Sequence, residues 1–306
     1  MLNPMTPKHF LDLDEIPPAE LKSILAHAKK LKQQKFKPPQ LLRGLTLAMI
    51  FDKRSTRTRL SFEVAMKQLG GHTVVMNTDT MQMADAESPE HTAKVLSRFV
   101  DAVMVRMSSH ETLKELASYS SVPFINGLTN HSHPCQVMAD MLTIEEKKGK
   151  LAGLKIAWFG DFNNVATSFV HAAPIFGFTL TLAVPKSQHP VKVLNVKTNF
   201  TDVAIEAAKD ADVLVTDTWV SMGQEGKGTE MFKPFQVNAP LMAAAKPGAI
   251  FMHCMPIHRG EEVTEEVLAS PASVIFDEAE NRLHAQKAIL AWCLKGSGVR
   301  MPIFNR

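Results

Sequence analysis

Apolar runs of strand length alternate with segments of helical periodicity along most of the chain. In the first half, the four apolar runs are LTLAMIF, HTVVMN, DAVMVRM and VPFINGL, and each precedes a segment with helical spacing of its apolar residues. Parallel strands need a long crossover connection, which is usually a helix. The alternation therefore predicts βαβ units, an α/β fold class and mostly parallel sheets.

The second half repeats the pattern with LKIAWFG, TLTLAV, DVLVTD, AIFMHC and SVIFDE as expected strands. About eight units could close into one barrel or divide into two open sheets. Two features favour two sheets: a helix expected at about 134–148 ends in the polar run EEKKGK, and the strand pattern restarts at Leu154. A chain of 306 residues also suits two cores.

We therefore predict two domains, each a mostly parallel sheet flanked by helices, with the active-site cleft between them. The first comprises residues 1–145 and the second residues 146–283. A final helix, 284–306, is expected to pack back on the first domain. Before the first strand, PPAELKSILAHAKKLKQ reads as an amphipathic helix with a proline entry.

Composition excludes several classes of function. The 34 basic and 31 acidic residues nearly cancel, and the single Tyr and three Trp give little to stack on bases, so no nucleic-acid partner is expected. No apolar stretch could span a bilayer, and the first residues do not resemble a signal or transit peptide. Three scattered cysteines fit a reducing compartment, and we expect a cytoplasmic protein.

Polar residues follow nearly every predicted strand. In open α/β sheets the ligand lies outside the carboxyl ends of the strands, so these residues are the candidate site. They are 55–59, Arg106, 130–136, 161–164, 217–223, 253–256 and 277–282.

The run STRTR begins a predicted helix directly after the first strand. Ser55 or Thr56 could simply cap that helix, leaving the arginines in solvent. Alternatively, backbone N–H groups, hydroxyls and a guanidinium could bind a phosphate at the positive end of the helix. Arg57 and Arg59 lie on different sides of a helix. We expect one of them, Arg57, to bind the ligand and Arg59 to brace the domain.

Two further candidates in the first half have equally plausible structural roles. Arg106 closes a strand and could reach either solvent or a ligand. His133 precedes Pro134 at an expected helix start, where it could be a structural cap. It could also be an imidazole that the helix dipole keeps neutral as a hydrogen-bond donor.

The second half lacks a dinucleotide signature, because WFGDFNNVATS contains only Gly160 where G-x-G-x-x-G would be needed. This argues against a dehydrogenase. The loop DTWVSMG could bind a cation or an amine, or it could be an ordinary surface loop. Cys254 in HCMP could be a buried apolar residue, and as a thiolate it would need His253 or His258 as a basic partner.

Taken in order, STRTR, HPCQ, DTWVSMG and HCMP resemble the motifs of the aspartate/ornithine carbamoyltransferase family, and the last three resemble its ornithine branch. The resemblance covers the whole chain. It implies transfer of the carbamoyl group of carbamoyl phosphate to the δ-amine of L-ornithine, without a cofactor or metal. Cys254 would then position the acceptor rather than act as a covalent nucleophile.

The resemblance also implies which residues form the site. The carbamoyl phosphate residues would be Ser55, Thr56, Arg57, Thr58, Gln82, Arg106, His133, Gln136 and Arg282. The ornithine residues would be Asn164, Asp217, Ser221, Met222, Cys254 and Met255. Those closest to the chemistry would be Arg57, Arg106, His133, Cys254 and Arg282.

The same resemblance implies a homotrimer, or a multiple of trimers, in which a loop after the second strand reaches a neighbouring subunit's site. Gln82 corresponds to the glutamine of that loop. The following residues, Ala84-Asp85-Ala86, depart from the family pattern, which more often has glycine and a basic residue or histidine. An acidic Asp85 would be unfavourable near a phosphate.

Two alternatives remain open at this point. The acceptor could be a related amine such as putrescine, although Asp217 and the SMG run favour an α-amino acid. The chain could also be a catalytically silent protein that keeps only the phosphate site. The motifs serve arginine biosynthesis and arginine breakdown equally; we expect biosynthesis.

Overall fold

The computed structural model describes residues 7–81, 87–192, 194–220 and 228–295. Contacts divide the chain into two compact units. Unit 1 comprises Met1–Leu142 together with Asn281–Arg306, and unit 2 comprises Thr143–Glu280.

Unit 1 contains a four-stranded sheet in the order β2-β1-β3-β4, with all strands parallel. The strands are β1 (Thr46–Phe51), β2 (His72–Asn77), β3 (Ala102–Arg106) and β4 (Phe124–Leu128). Strands β1 and β3 are buried almost throughout, as expected for central strands covered on both faces. Because β1 and β3 are neighbours, Phe51 lies beside Arg106 and the ends of the two strands meet.

The helices of unit 1 follow the predicted segments. They are α1 (Pro18–Gln33), α2 (Arg57–Gln68), α3 (Pro89–Phe99), α4 (His110–Tyr119) and the first part of α5 (Pro134–Lys148). The residues of α10 (Ile275–Lys295) from Asn281 onward also belong to unit 1. Trp292 of α10 donates its indole N–H to Glu20 Oε2 of α1 at 2.6 Å, and Lys32 of α1 donates to Asn281 at 2.8 Å.

Unit 2 contains a five-stranded parallel sheet in the order β7-β6-β5-β8-β9. The strands are β5 (Lys155–Phe159), β6 (Thr179–Ala183), β7 (Thr198–Thr201), β8 (Val213–Thr216) and β9 (Ile250–His253). The strand order reverses at β5, and this is the position where doubly wound sheets bind ligands. The helices are α6 (Asn164–Phe176), α7 (Ala204–Ala208), α8 (Ala239–Ala244) and α9 (Glu265–Ala269), with the remainders of α5 and α10.

Gly160 directly follows β5, at a turn that only glycine accommodates. Its φ is +105°, and a Cβ built there would lie 2.6 Å from the indole nitrogen of the buried Trp219. The single glycine of WFGDFNN is therefore explained by close packing of β5 against Trp219.

The predicted α/β class, with a mostly parallel sheet in each of two domains, is confirmed, and the single-barrel alternative is wrong. One predicted strand is also wrong. SVIFDE is not a sheet strand: Ser273 makes an isolated bridge to Phe251, and α10 begins at Ile275. Conversely, β7 was not predicted, because VKVLNVKTNF shows no clear alternation. Across the described residues, no helix is both long and apolar enough to cross a membrane.

Candidate functional site

The STRTR run lies where β1 passes into α2. Thr56 is the N-cap residue of α2, but its side chain makes no capping hydrogen bond. The capping explanation of these hydroxyls therefore fails for Thr56. Ser55 is half-buried, Thr56 is exposed, and Thr58 is fully buried. The three hydroxyl side chains therefore range from exposed, at Thr56, to buried, at Thr58.

The two arginines of this run do diverge, but Arg59 does not brace the domain. Its Nε donates to Glu63 Oε1 at 3.0 Å, one turn along the same helix, and its side chain is half exposed. An exposed pair of this kind contributes little to stability. The expected bracing role of Arg59 is therefore wrong, because its partner belongs to the same helix face.

Thr58 is the centre of a buried cluster in unit 1. Its Oγ1 accepts hydrogen bonds from Arg106 at 3.0 Å and from Arg282 at 3.1 Å. Arg282 also donates to Gln136 Oε1, and Gln136 donates to Asp140 Oδ1 at 2.8 Å. With both acceptor positions of the hydroxyl used, its proton is available for donation. Two guanidinium groups and a hydroxyl donor are therefore gathered at one point.

The cluster assembles residues from distant parts of the sequence. Arg106 ends β3 and Thr58 lies in the first turn of α2, which follows the neighbouring strand β1. Gln136 lies in the first turn of α5, and Arg282 comes from α10. Arg106, Gln136 and Arg282 are each at least nine-tenths buried. Burying two like charges is costly, so this arrangement favours an anionic ligand.

His133 is buried beside this cluster, directly before α5. Its pKa is lowered well below the ordinary value, first by burial and then by the positive charges of Arg282, Arg106 and Arg57. Sequence reasoning left a structural cap and a neutral imidazole both open here, and it attributed the neutral form to the helix dipole. The structure gives the same protonation state a different cause: desolvation and three nearby guanidinium groups.

Two other side chains near this cluster, those of Asp140 and Cys135, are also buried. Asp140, one turn after Gln136, is buried and was not predicted; the i, i+4 spacing on α5 is the signal that could have identified it. Cys135 is also buried, and its thiol donates to the Asn126 carbonyl oxygen at 3.2 Å. Burial raises the pKa of Cys135 to about 12, so this thiol is a structural group.

Unit 2 has its own polar cluster, at the carboxyl ends of β5, β8 and β9. Asp217 follows β8; its Oδ2 accepts from Asn163 Nδ2 at 2.8 Å and its Oδ1 accepts from the Cys254 thiol at 3.0 Å. Asn163 is also the N-cap of α6, where its Oδ1 accepts the N–H groups of Val165 and Ala166. Sequence reasoning selected Asn164, which is half-buried in the first turn of α6, and missed Asn163.

Buried groups hold the residues that follow β9. The Met255 N–H donates to His253 Nδ1 at 2.9 Å, and the other ring nitrogen of His253 lies 3.0 Å from Glu262 Oε1. Because Nδ1 is an acceptor, Nε2 carries the proton and donates to Glu262. Met255 has a φ of +57°, which is uncommon for a residue with a side chain. His253 and Glu262 thus fix the position of Cys254 and Met255.

Three predicted site residues, Gln82, Ser221 and Met222, lie outside the described residues, as does Asp85. Of the others, Thr58, Arg106, Gln136 and Arg282 form one hydrogen-bonded cluster, with His133 and Arg57 close to it. Asp217 and Cys254 are in direct contact in unit 2.

Comparison with protein families matches both halves of the chain. Residues 8–146 match the aspartate/ornithine carbamoyltransferase, carbamoyl-P binding domain, and residues 152–293 match the aspartate/ornithine carbamoyltransferase, Asp/Orn binding domain.

Individual relatives agree with these matches. An ornithine carbamoyltransferase from Bradyrhizobium diazoefficiens is 53% identical over 94% of this chain and 97% of the relative, and one from Brucella abortus is 52% identical over 95% and 97%. Among solved structures, ornithine carbamoyltransferase from Pyrococcus furiosus has a TM-score of 0.90 at 46% identity and covers 96% of this chain and 99% of that one.

An anabolic ornithine carbamoyltransferase from Campylobacter jejuni superposes with a TM-score of 0.87 at 39% identity, covering 94% of this chain and 98% of its own. Since the two family models together span nearly the whole sequence, and relatives of this similarity cover almost its full length, the chain belongs to the aspartate/ornithine carbamoyltransferase family.

Proposed function

We propose that this chain is an ornithine carbamoyltransferase, which transfers the carbamoyl group of carbamoyl phosphate to the δ-amine of L-ornithine and releases L-citrulline and phosphate. The observation that carries the proposal is the buried cluster of Thr58, Arg106 and Arg282 in a chain whose relatives bear that name. Two buried guanidinium groups around one hydroxyl are suited to a phosphorylated, carbonyl-containing substrate.

In this proposal, unit 1 binds carbamoyl phosphate. The amides and hydroxyls at the start of α2 would bind the phosphate, because a helix N-terminus favours an anion. Ser55, Thr56, Arg57 and Thr58 supply these donors, and Gln82 is expected to add another. Arg106 would bridge phosphate and carbonyl oxygens, while His133, Gln136 and Arg282 orient the carbamoyl group.

Unit 2 binds ornithine. Asp217, held by Asn163 and Cys254, offers a carboxylate for the α-amino group of the acceptor. Asn164, Ser221 and Met222 are proposed to complete the site for the amino acid head group. Cys254 and the Met255 carbonyl would face the δ-amine. The thiol already donates to a carboxylate, which suits a positioning role better than a nucleophilic one.

The transfer requires the δ-ammonium to lose a proton before its nitrogen attacks the carbonyl carbon. The C–N bond forms, the carbonyl oxygen becomes an oxyanion, and the nitrogen loses a second proton as the C–O bond to phosphate breaks. Donors from Thr58, Arg106, His133 and Arg282 would stabilise the oxyanion, and one such donor is worth about 3 kcal/mol. The low pKa of His133 matters here, because a neutral imidazole donates without adding a fourth positive charge.

The resemblance to the family also bears on the oligomeric state, cellular compartment and pathway of the enzyme. We propose a homotrimer, or a multiple of trimers, in which Gln82 serves a neighbouring subunit. We also propose a cytoplasmic enzyme of arginine biosynthesis. The three cysteines, all free thiols, fit a reducing compartment, and the C. jejuni relative is named as anabolic.

The test is citrulline formation from carbamoyl phosphate with ornithine, putrescine, aspartate and N-acetylornithine supplied separately. We expect a product only with ornithine. The product itself should be measured, since carbamoyl phosphate also releases phosphate by hydrolysis. Carbamoylation of putrescine instead would support the related-amine alternative, and no carbamoylated product with any acceptor would support the silent phosphate-binding alternative.

A further inference from the structure

Unit 1 also contains a group of potential metal ligands, separate from the cluster around Thr58. Asp12 precedes α1, His110 begins α4, and His131 lies in the loop between β4 and α5. One ligand atom from each of these residues lies within 4.8 Å of the other two. His131 Nε2 is 3.8 Å from Asp12 Oδ2, and the two imidazole rings are 4.7 Å apart between centroids.

We propose that Asp12, His110 and His131 form a binding site for a divalent transition-metal ion such as Zn²⁺. Two imidazoles and one carboxylate are a ligand set that Zn²⁺ accepts, with water completing the tetrahedron. In such a site the metal–ligand bonds are about 2.0–2.2 Å, so ligand atoms lie roughly 3.3 Å apart. The half-exposed His131 side chain needs to move by only a few tenths of an ångström relative to Asp12.

The three side chains are held in a way that suits an ion. Asp12 is almost completely buried, and its Oδ1 accepts the Leu13 N–H at 2.7 Å, which orients the carboxylate. His110 Nδ1 lies 3.0 Å from the Thr129 hydroxyl, leaving its other nitrogen for a metal. A second hydrogen bond of this kind is the usual support of a metal-binding histidine. With an ion bound, Nδ1–H donates to one lone pair of the Thr129 hydroxyl, and the two longer hydrogen bonds from the His131 and Ser132 N–H groups, both at 3.3 Å, share the other. The Thr129 proton then points to the Ser132 carbonyl oxygen at 3.5 Å.

The surrounding charge also favours a cation. Asp14 and Glu15 lie near Asp12, and Glu111 lies near His110, with the ammonium of Lys114 opposing them. The pKa of Glu15 is raised, first by burial, with Asp12 and Asp14 raising it further and Lys114 and His131 opposing. A bound divalent cation would relieve this excess of negative charge.

The site would connect three segments of unit 1 that are remote in sequence. His131 lies two residues before His133, in a loop where the Thr129 hydroxyl also accepts the N–H groups of His131 and Ser132. A bound ion would therefore stabilise unit 1 and hold the loop that leads to His133. No step of the proposed transfer reaction uses this metal, so the inference stands independently of the proposed function.

The test is a titration of the untagged full-length protein with Zn²⁺, in which calorimetry measures the affinity and the number of ions bound per chain. Asp217, His253 and Cys254 form another possible metal group, so the titration should use Cys254→Ser as background; any zinc held by His258, Glu261 and Glu262 would bind independently of His131. We expect this protein to bind one Zn²⁺ per chain. Adding His131→Ala should weaken binding at least about 100-fold, since even the loss of a supporting hydrogen bond costs 10- to 100-fold.

Two further variants keep the test decisive. Adding Asp12→Asn preserves an acceptor for the Leu13 N–H but removes the charge, and should also weaken zinc binding. Adding His72→Ala, at an exposed histidine of β2, should leave binding unchanged. Zinc should raise the melting temperature of Cys254→Ser and of the His72 control, but not of the His131 variant. Equal affinity with and without His131, or no binding to Cys254→Ser at millimolar zinc, would overturn the proposal.

Discussion

At the scale of single residues, the two arginines of STRTR have opposite surroundings. Arg57 lies close enough to His133 to lower its pKa, whereas Arg59 pairs with Glu63 on the exposed face of α2. Charge alone does not distinguish them in the sequence. The helical twist separates them, and only the contacts reveal what each one meets.

Arg57→Ala and Arg59→Ala should therefore behave differently. We expect Arg57→Ala to lower kcat/KM by about 10²- to 10³-fold, the loss typical of one transition-state donor. Arg59→Ala should change the free energy of unfolding by less than about 1 kcal/mol, because exposed ion pairs contribute little. Steady-state citrulline kinetics and urea unfolding of both variants make the comparison. A large loss of activity in Arg59→Ala would contradict it.

His133 should make the stability of the protein depend on pH. The folded-state pKa lies well below the ordinary value of 6.5, so on acidification the unfolded chain binds a proton first. Stability from this group is therefore complete above about pH 6.5 and falls as the pH drops towards the folded-state pKa, by up to about 1.4 kcal/mol per pH unit.

Urea unfolding between pH 7.5 and pH 5.5 can isolate this contribution by comparison with His133→Asn. The variant should lose less stability on acidification than the wild type, and exposed His72→Ala should follow the wild type. His9, His27 and His110 also have lowered pKa values, each first through burial, but they contribute equally to all three proteins. Identical pH slopes for the wild type and His133→Asn would argue against a buried neutral imidazole.

At the scale of elements, the ends of neighbouring strands decide which residues meet. In unit 2, β8 lies beside both β5 and β9, so Asp217 can contact Asn163 on one side and Cys254 on the other. The segment after β9 depends on a further buried support: Glu262 accepts from His253 Nε2 and from the His258 N–H. Glu262 therefore supports, through His253, the backbone of Met255, one of the residues proposed to face the acceptor amine.

Two substitutions of Glu262 should separate the loss of its negative charge from the loss of its hydrogen-bond acceptor. Glu262→Gln keeps an oxygen acceptor and should cost about 1 kcal/mol of unfolding free energy, whereas Glu262→Ala leaves buried donors unsatisfied and should cost about 2–4 kcal/mol. Tryptophan fluorescence during urea unfolding is a suitable probe, since Trp158 and Trp219 are both buried in unit 2. Equal losses in the two variants would contradict this, because they would show that a neutral oxygen acceptor of the same volume cannot replace the carboxylate.

At the scale of the whole molecule, the proposed trimer makes a prediction about shared sites. If Gln82 serves a neighbouring subunit, then Arg57→Ala and Gln82→Ala damage different contributors to one site. Each variant alone should be nearly inactive. In mixed trimers assembled from equal amounts of both, about a quarter of the sites should receive intact residues from both chains.

Co-expression of the two variants, followed by citrulline assay of the isolated mixture, checks this outcome. Light scattering of the same sample should give the mass of three chains or a multiple of three. A matched mixture of Arg57→Ala with Arg106→Ala is the control, because both substitutions damage the same subunit's contribution and should restore nothing. Activity of the first mixture no higher than the control would count against a shared site.

Much of this protein was predictable from local sequence. Within the described residues, the pattern of apolar runs and helical spacing located eight of the nine strands and the long helices α1, α5 and α6, because such patterns reflect which parts of an element are buried. It failed at β7, which has four residues and no clear alternation, and at SVIFDE, where β-branched residues enter helix α10 instead. In such short segments, tertiary contacts outweigh intrinsic preference.

The sequence by itself determined the α/β class, the motifs that mark the family and the chemical types in the site. Only the tertiary structure decided that Arg106 and Arg282, far apart along the chain, share the Thr58 hydroxyl, and that Asn163 donates to Asp217. Sequence patterns record the periodic burial of each element, which is a local property. Which side chains meet depends on strand order and helix packing, because these bring distant residues within hydrogen-bonding distance.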